Sequence, residues 1–450
     1  MNVIGLDIGT TSLSAVVVED GGRTLAARSV DSDSAIPGRP WEHLQDPVVI
    51  VARALELVKQ LANEYGPIAS IGLTGQMHGI LYLDAEGKAC SPLYTWQDAR
   101  CELKPGGGSD ETYAARLSRL TGHRMATGFG AATHDWHVLH GCVPEGAVRF
   151  CAIHDYVGMV MTGRKTPLTH ISDAASFGLF DAASGAFDAA AIARAGLDMS
   201  FFPEVARGAE LLGFTHGGIP VSVAIGDNQA GFLGAVQGDE AVMVSVGTSG
   251  QTSLTSNATA LPDCLDARPL NLGDRILVGS TLCGGRAYAQ LEAFFRSCAA
   301  LAGIAPARLY PAMNALAPGA LDLPDKLVVD TRFAGARHCP DARGSIAGIT
   351  TGNLTPQHLI GGVLEGIAAE LHEMYRAMLR AGAQPRSVLI GAGNAVRNNP
   401  ALVAALERAF GLPLKMPVHR EEAAYGAALF GMAAAGGRTL AQARALIAYQ

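Results

Sequence analysis

The chain has 450 residues, 49% of them hydrophobic and 17% charged, which predicts two domains with sizeable cores and argues against disorder. A formal net charge of −7 without a long basic run argues against a nucleic-acid partner held through its phosphates. The longest near-apolar run, 423–435, is too short for a membrane span, and Asp7 interrupts an N-terminus that carries no basic leader, so neither a membrane segment nor a signal peptide is expected. Eight cysteines without a C-x-x-C pair read as reduced thiols, and the expected location is the cytoplasm.

Residues 4–8 read as an apolar strand that carries one acid, Asp7, into the small polar turn Gly9-Thr10-Thr11-Ser12. Gly9 is expected to take a positive φ, and the N–H groups and hydroxyls of Thr10, Thr11 and Ser12 can receive an anion. Residues 13–18 continue as a β-branched strand to the turn Glu19-Asp20-Gly21-Gly22. An ordinary hairpin with Asp7 capping its turn reads the same way. Apolar residues at Val51, Leu55, Val58 and Leu61 predict a helix over 47–65 that ends at Gly66-Pro67.

A strand at 68–73 delivers Gln76-Met77-His78-Gly79, polar residues at a buried strand's end, where α/β proteins bind ligands; a core histidine is the alternative for His78. Thr95-Trp96-Gln97-Asp98-Ala99-Arg100 offers an indole, a carboxylate and a guanidinium to a polyol, and equally fits a surface ion pair beside a packed Trp. Ser109 is expected to cap a helix. His134, His137 and His140 share a helix face with no carboxylate or thiol patterned beside them, so they read as structural rather than metal-binding.

Residues 220–225 form a buried strand running into Gly226-Asp227-Asn228, whose acid begins a helix and can serve as its cap. The opening pattern then returns as strand 241–246, the turn Gly247-Thr248-Ser249-Gly250 and a second strand, with Ser245 at the place of Asp7. The repeat predicts two lobes with related cores, each offering one phosphate-gripping turn to a cleft. Thr355-Pro356 starts the longest expected helix, with Leu359, Val363, Ile367, Leu371 and Met378 on one side. A strand at 387–390 leads to Gly391-Ala392-Gly393-Asn394, which fails the dinucleotide fingerprint because position 396 is Val. Asn399-Pro400 starts a helix ending at Gly411, and 421–435 is the last well-formed one.

In this order, Gly5-Leu6-Asp7-Ile8-Gly9-Thr10-Thr11-Ser12, Gln76-Met77-His78-Gly79, Trp96-Gln97-Asp98-Ala99-Arg100, Gly226-Asp227-Asn228, Val246-Gly247-Thr248-Ser249, Leu364-Glu365-Gly366-Ile367-Ala368 and Glu421-Glu422-Ala423-Ala424-Tyr425-Gly426 resemble the FGGY family of carbohydrate kinases. The resemblance implies an α/β, two-lobed actin-like sugar-kinase ATPase fold, each lobe a mixed β-sheet with flanking helices. The N-terminal lobe, 1–238, would hold sugar, phosphate and the catalytic base, and the C-terminal lobe, 239–450, the nucleotide. ATP and Mg are the implied cofactors. By position, Asp227 becomes the catalytic base and, with Asp7, a Mg ligand through water. Thr10, Thr11, Ser12, Gly247, Thr248 and Ser249 become phosphate-cradling residues, and Gly391, Gly393 and Asn394 the adenosine-facing turn. Gln76, Met77, His78, Trp96 and Asp98, together with Asp227, become the sugar contacts.

The chain departs from the family in its Gly-Ala-Gly-Asn turn, its short length and His170, where relatives often carry an acid. The Gln76-Met77-His78-Gly79 loop is similar to the ketose-kinase version. The stretch from Thr95 to Cys101, Phe333-Ala334-Gly335-Ala336-Arg337, and Gly393-Asn394 with Arg397 and Asn399-Pro400 resemble the branch that uses sedoheptulose; D-xylulose and D-ribulose are the alternatives. The expected partners are a small-molecule sugar and ATP, with no nucleic acid and no membrane, and a homodimer is the assembly considered. The rival is a non-catalytic or ATPase relative of the same fold, a sugar sensor or an assembly protein. The acid at 227 counts against it.

Overall fold

The computed structural model describes residues 1–106, 110–305 and 307–450. The cap expected of Ser109 lies outside the described residues. Contacts divide the chain into two compact units, one of Met1–Gln237, Pro269–Asp274 and Glu421–Ile447, the other of Gly238–Arg268, Arg275–Arg420 and Ala448–Gln450. The division expected at 238/239 marks where the chain first leaves the first unit. It misses the return of Glu421–Ile447, which the sequence reading assigned to the second lobe.

The first unit is built on a sheet of β1 (Asn2–Ile8), β2 (Ser12–Glu19), β3 (Thr24–Asp31), β4 (Ile68–Gly75), β5 (Leu211–Phe214) and β6 (Pro220–Gly226), in the order β5-β6-β4-β1-β2-β3. β1 pairs antiparallel with β2 and parallel with β4, which in turn runs parallel to β6. Ile8 lies opposite Gly75, and Gly75 opposite Gly226, so three strands end side by side. Their exits are the Gly9 turn, the Gln76 loop and Asp227, at the edge where parallel strands present ligand-binding loops.

On one face of this sheet Ile4, Leu6 and Ile8 share a core with Ile50, Leu57 and Leu61 of α1 (Pro47–Tyr65). The buried residues of α1 are Pro47, Ile50, Ala54, Leu57, Val58 and Leu61; of the expected stripe, Val58 and Leu61 are buried, Val51 is only half-buried and Leu55 is exposed. The opposite face is closed by the C-terminal helix Glu422–Ala434, and glycine makes that approach possible. A Cβ at Gly5 would lie 1.9 Å from the Ala424 carbonyl oxygen, and one at Gly72 1.7 Å from that of Ala427.

Two further expectations are corrected. Gly9 is not in the left-handed region; it is glycine because a Cβ would meet the Ser12 carbonyl oxygen at 2.8 Å. The helix α2 (Tyr113–Thr121) takes Thr112 as its cap, the hydroxyl accepting from Ala115 N.

Of the histidine trio on and just beyond α3 (Gly130–Leu139), His134 and His137 are buried and His140 is exposed. His134 Nδ1 and His137 Nδ1 both meet the Tyr82 hydroxyl, at 2.9 and 3.0 Å, and His140 stacks on Trp136. Burial pulls His134 from its ordinary 6.5 down to about 4. A histidine depressed in the folded chain favours folding fully above its unfolded value, and that contribution is lost as pH falls toward the folded one. From about pH 7.5 to about pH 5, His134 is therefore expected to remove roughly 2 kcal/mol of stability. Urea unfolding at both pH values checks this: His134→Gln should flatten the pH dependence, and an unchanged slope would overturn the assignment.

The second unit repeats the first unit's strand pattern. Its sheet comprises β7 (Ala241–Val246), β8 (Gly250–Thr255), β9 (Leu265–Asn271), β10 (Asp274–Thr281), β11 (Val388–Ala392) and β12 (Leu414–Lys415), in the order β9-β10-β8-β7-β11-β12. β7 pairs antiparallel with β8 and parallel with β11, as β1 does with β2 and β4. The Gly-Thr-Ser repeat is thus a repeat of structure: each turn closes a hairpin beside a parallel strand.

Candidate active site

In the first unit the opening turn is tied to two loops distant in sequence. Trp96 Nε1 donates to Thr10 Oγ1 at 3.0 Å, and that hydroxyl donates to Gln76 Oε1 at 3.3 Å. Gln76 Nε2 donates to Gln45 Oε1 at 2.8 Å, and Gln45 Nε2 closes the ring on the Thr10 carbonyl at 2.7 Å. Sequence reasoning missed Gln45, whose only local mark is its place before Asp46, the cap of α1. With the Thr10 hydroxyl engaged, Thr11, which is exposed, and Ser12, half-buried at the start of β2, remain to meet an anion.

Met77 is buried over the next strand end: its sulfur would lie 2.7 Å from a Cβ on Gly226. His78 has a left-handed backbone, φ 73, with its ring stacked on Phe129. Its N–H donates to Ser176 Oγ, and Nδ1 lies 2.9 Å from the Ser176 carbonyl. A carbonyl only accepts, so Nδ1 carries a proton.

Asp98 differs from its neighbours. Oδ1 accepts from Arg100 N and Nε, at 3.2 and 2.6 Å, and Oδ2 from His43 N and Arg100 Nη2, both at 3.1 Å. Both partners of this ion pair are sealed from solvent, and the Arg100 guanidinium lies over the Tyr94 ring. The pair is interior rather than at the surface, and the carboxylate is saturated by protein donors. Trp96 is 45% exposed and presents a free ring surface.

The carboxylates meet at the strand ends. Asp227 is the first residue of α6 (Asp227–Ala235); Gly226 holds the cap position, so Asp227 is not the cap. Asp7 Oδ1 is sealed from solvent with no hydrogen-bond partner. Burial first, then the Asp227 and Glu421 charges, push Asp7 up to about 7, while the His154 charge acts in the opposite sense. His154, on α4 (Ile153–Thr162), is buried 3.3 Å from Asp173 on α5 (Ile171–Phe177), an ion pair rather than a well-aimed hydrogen bond. Burial opposes its charge, yet Asp173, Asp155 and Asp227 outweigh that and hold His154 up at about 9. Ser172 Oγ accepts from Gly226 N at 3.0 Å, bracing the backbone just before Asp227. The sequence reading missed Ser172 and Asp173 because nothing local distinguishes Ser-Asp-Ala-Ala.

This arrangement fits a divalent cation. The buried Asp7 oxygen lacks a donor, and the neighbouring acids make its charge costly until positive charge arrives. Among the described residues no three His, Cys, Asp or Glu side chains converge as a cage. Magnesium commonly takes one or two carboxylates and completes its shell with water and phosphate oxygens.

In the second unit, Gly247 and Thr248 line a cavity of about 630 Å³ with Asn394, Asn399 and the aromatic rings of Tyr288 and Tyr310. The two rings stack at 6.2 Å, and the Tyr288 hydroxyl donates to Asn314 Oδ1 at 3.0 Å. The volume and mixed lining suit a nucleotide. Ser249, Gly391 and Gly393 do not line it. Gly391 lies within β11, where a Cβ would strike Leu414 and Val396, and Gly393 takes φ 84, where a Cβ would lie 2.6 Å from the Val246 carbonyl oxygen. Both glycines therefore have internal reasons. Tyr288 carried no sequence signal beyond the Gly284-Gly285 pair that precedes its helix, and Tyr310 and Asn314, on the helix Tyr310–Ala320, carried none.

A strand-end cluster of acids, a paired set of hydroxyl-rich turns and a nucleotide-sized cavity on repeated α/β sheets define a phosphotransferase. The chain belongs to the FGGY family of carbohydrate kinases: the family's N-terminal domain matches residues 2–234 and its C-terminal domain residues 242–435. It is 27% identical to the sedoheptulokinase of Mus musculus over 472 residues, covering 95% of this chain and 96% of the relative. It is also 27% identical to a glycerol kinase of Myxococcus xanthus, covering 96% and 90%. The crystal structure of a xylulose kinase from Rhodospirillum rubrum superposes with a TM-score of 0.83 at 24% identity, covering 100% of this chain and 93% of the other, and shows the same two-domain fold. The chain is a sugar kinase, and kinases of this family use ATP, typically with Mg. No helix among the described residues is long and apolar enough to cross a membrane.

Proposed function

We propose that this kinase transfers the γ-phosphoryl group of ATP to a ketose, with sedoheptulose as the preferred substrate. The observation that carries the transfer is the half-buried Asp227 at the exit of β6, next to Met77 and within the electrostatic reach of Asp7. Asp227 accepts the proton of the attacking hydroxyl, and the Ser172 brace fixes the backbone from which it projects. Asp7 and Asp227 would hold magnesium, which would offset phosphate charge there. The protein's own share is positioning and charge stabilisation, which dominate phosphoryl transfer.

The sugar lies against the Gln76-Met77-His78 loop, with the exposed Trp96 face supplying a flat apolar surface for the carbon chain. Asp98, saturated by Arg100 and His43, ties the Trp96–Arg100 stretch to the His43 backbone rather than touching sugar. Within the second unit Gly247 and Thr248 serve the phosphates and the rings of Tyr288 and Tyr310 the base; within the first, Thr11 and Ser12 are the hydroxyls available to an anion. The first unit then carries sugar and base catalyst, and the second the nucleotide.

The choice of sedoheptulose is supported by the sedoheptulokinases of Mus musculus and Homo sapiens, both similar over nearly the whole chain. A site built to pair a longer ketose's hydroxyls leaves its own polar groups unpaired with a shorter one, an effect that reaches about 10⁴-fold. Comparing kcat/KM for sedoheptulose, D-xylulose and D-ribulose in one coupled assay tests it. Sedoheptulose is expected to lead; a pentulose preferred by more than about tenfold would move the assignment to a pentulose kinase.

A further inference from the structure

One cation of the second unit stands apart from the acids described above. Arg286 is the second residue of α7 (Gly285–Leu301), and it is held against the Gly247–Ser249 turn by backbone contacts on both sides. Gly285 N donates to the Gly247 carbonyl at 2.8 Å, and Arg286 N to the Thr248 carbonyl at 3.0 Å. Gly284 leaves no slack, since a Cβ there would lie 2.4 Å from the Ser249 carbonyl oxygen. The Arg286 Cα therefore keeps a fixed place beside the turn.

Its side chain lines the same cavity as Gly247, Thr248 and Asn394. Among the described residues its guanidinium meets no carboxylate within ion-pair distance, whereas Arg296, further along the same helix, is clamped by Glu292 at 3.0 Å. Tyr288 follows two residues later, and residues two apart on a helix do not share a face. The cavity nevertheless presents both a guanidinium, held beside Thr248, and the rings of Tyr288 and Tyr310. An unpartnered guanidinium facing a cavity beside a hydroxyl-rich turn is suited to an anion with several oxygens in fork geometry.

We infer that Arg286 is a positioning residue for the nucleotide's polyphosphate, contributing affinity for the phosphates and none for the base. The inference rests on reading this cavity as the nucleotide site. A charge-assisted, two-pronged contact of this kind contributes roughly 10- to 100-fold in affinity.

The test is calorimetric titration of ATP, ADP and adenosine, without sugar, into the full chain and into Arg286→Ala and Arg286→Lys. Arg286→Ala is expected to weaken ATP and ADP by roughly 10- to 100-fold and to leave adenosine unchanged. Arg286→Lys should fall between, because it keeps the charge and loses the fork. Added salt should weaken ATP binding more in the parent than in Arg286→Ala. The side chain is exposed, so thermal unfolding of the variants should match the parent and exclude misfolding as the cause. Unchanged ATP affinity in Arg286→Ala would overturn the inference, and so would a parallel loss for adenosine, which would mean stacking on the base. If the parent binds neither ATP nor adenosine, the nucleotide reading of the cavity itself fails.

Discussion

Asp227→Asn is expected to lower kcat by roughly 10³-fold while sugar and ATP still bind, because the amide keeps the shape of the carboxylate and cannot take a proton. The geometry makes the acid hard to replace. β1, β4 and β6 end in register, so Asp227 emerges next to the Gln76 loop, with Ser172 holding the N–H of Gly226. Two neighbouring acids cannot substitute for it: Asp98 is consumed by Arg100 and His43, and Asp173 is committed to His154. Steady-state rates at saturating substrates, with binding of each substrate measured separately, decide the matter. Near-normal turnover in Asp227→Asn would remove it as the base.

The largest stability effect is expected where the C-terminal helix meets the first unit's sheet. In Gly72→Ala the added methyl would sit 1.7 Å from the Ala427 carbonyl oxygen and 2.5 Å from its carbon. Backbone on both sides must separate, so the cost should exceed the roughly 1–3 kcal/mol usual for overpacking. Gly234→Ala, on α6, should behave alike, since its Cβ would lie 2.0 Å from the Glu422 carbonyl oxygen. Gly231, three residues earlier on the same helix, has nothing within 4 Å. Gly231→Ala is expected to stabilise by about 0.5–1 kcal/mol, from helix propensity alone. Urea midpoints of the three variants test the packing directly. Equal destabilisation by Gly231→Ala and Gly234→Ala would show that helix propensity, not close approach, governs this interface.

These contrasts also separate what local sequence can report from what it cannot. The hairpin at the Gly9 turn, the strand into Asp227 and the long capped helix Pro356–Arg380 were legible because each writes its own period and punctuation. In that helix the expected stripe, Leu359, Val363, Ile367, Leu371 and Met378, is the buried one. The stripe of α1 was read half right, with Val58 and Leu61 buried but not Val51 and Leu55, because Pro47–Tyr65 is apolar enough on two adjacent lines for periodicity to fit either. Only the sheet it packs on selects between them. Gly9 was given a positive φ because that is glycine's commonest use, whereas here the reason is the Ser12 carbonyl oxygen, three residues on, which the turn folds back to 2.8 Å from where a Cβ would sit.

For the site, the sequence by itself determined which chemistry was available: an acid after a buried strand, a repeated hydroxyl-rich turn, and a Gln-Met-His loop, each carried by consecutive residues. Only the tertiary structure decided how those groups are used. Asp98 looked open to a sugar and is closed by Arg100; Thr10 looked open to phosphate and is tied to Gln76 and Trp96. Gln45, Ser172, Tyr288 and Arg286 enter through contacts with residues far along the chain, which no window of sequence contains. The physical reason is that a polar group's role depends on which partners already satisfy it. In a sheet of parallel strands those partners come from neighbouring strands, brought alongside by long crossovers rather than by adjacent residues.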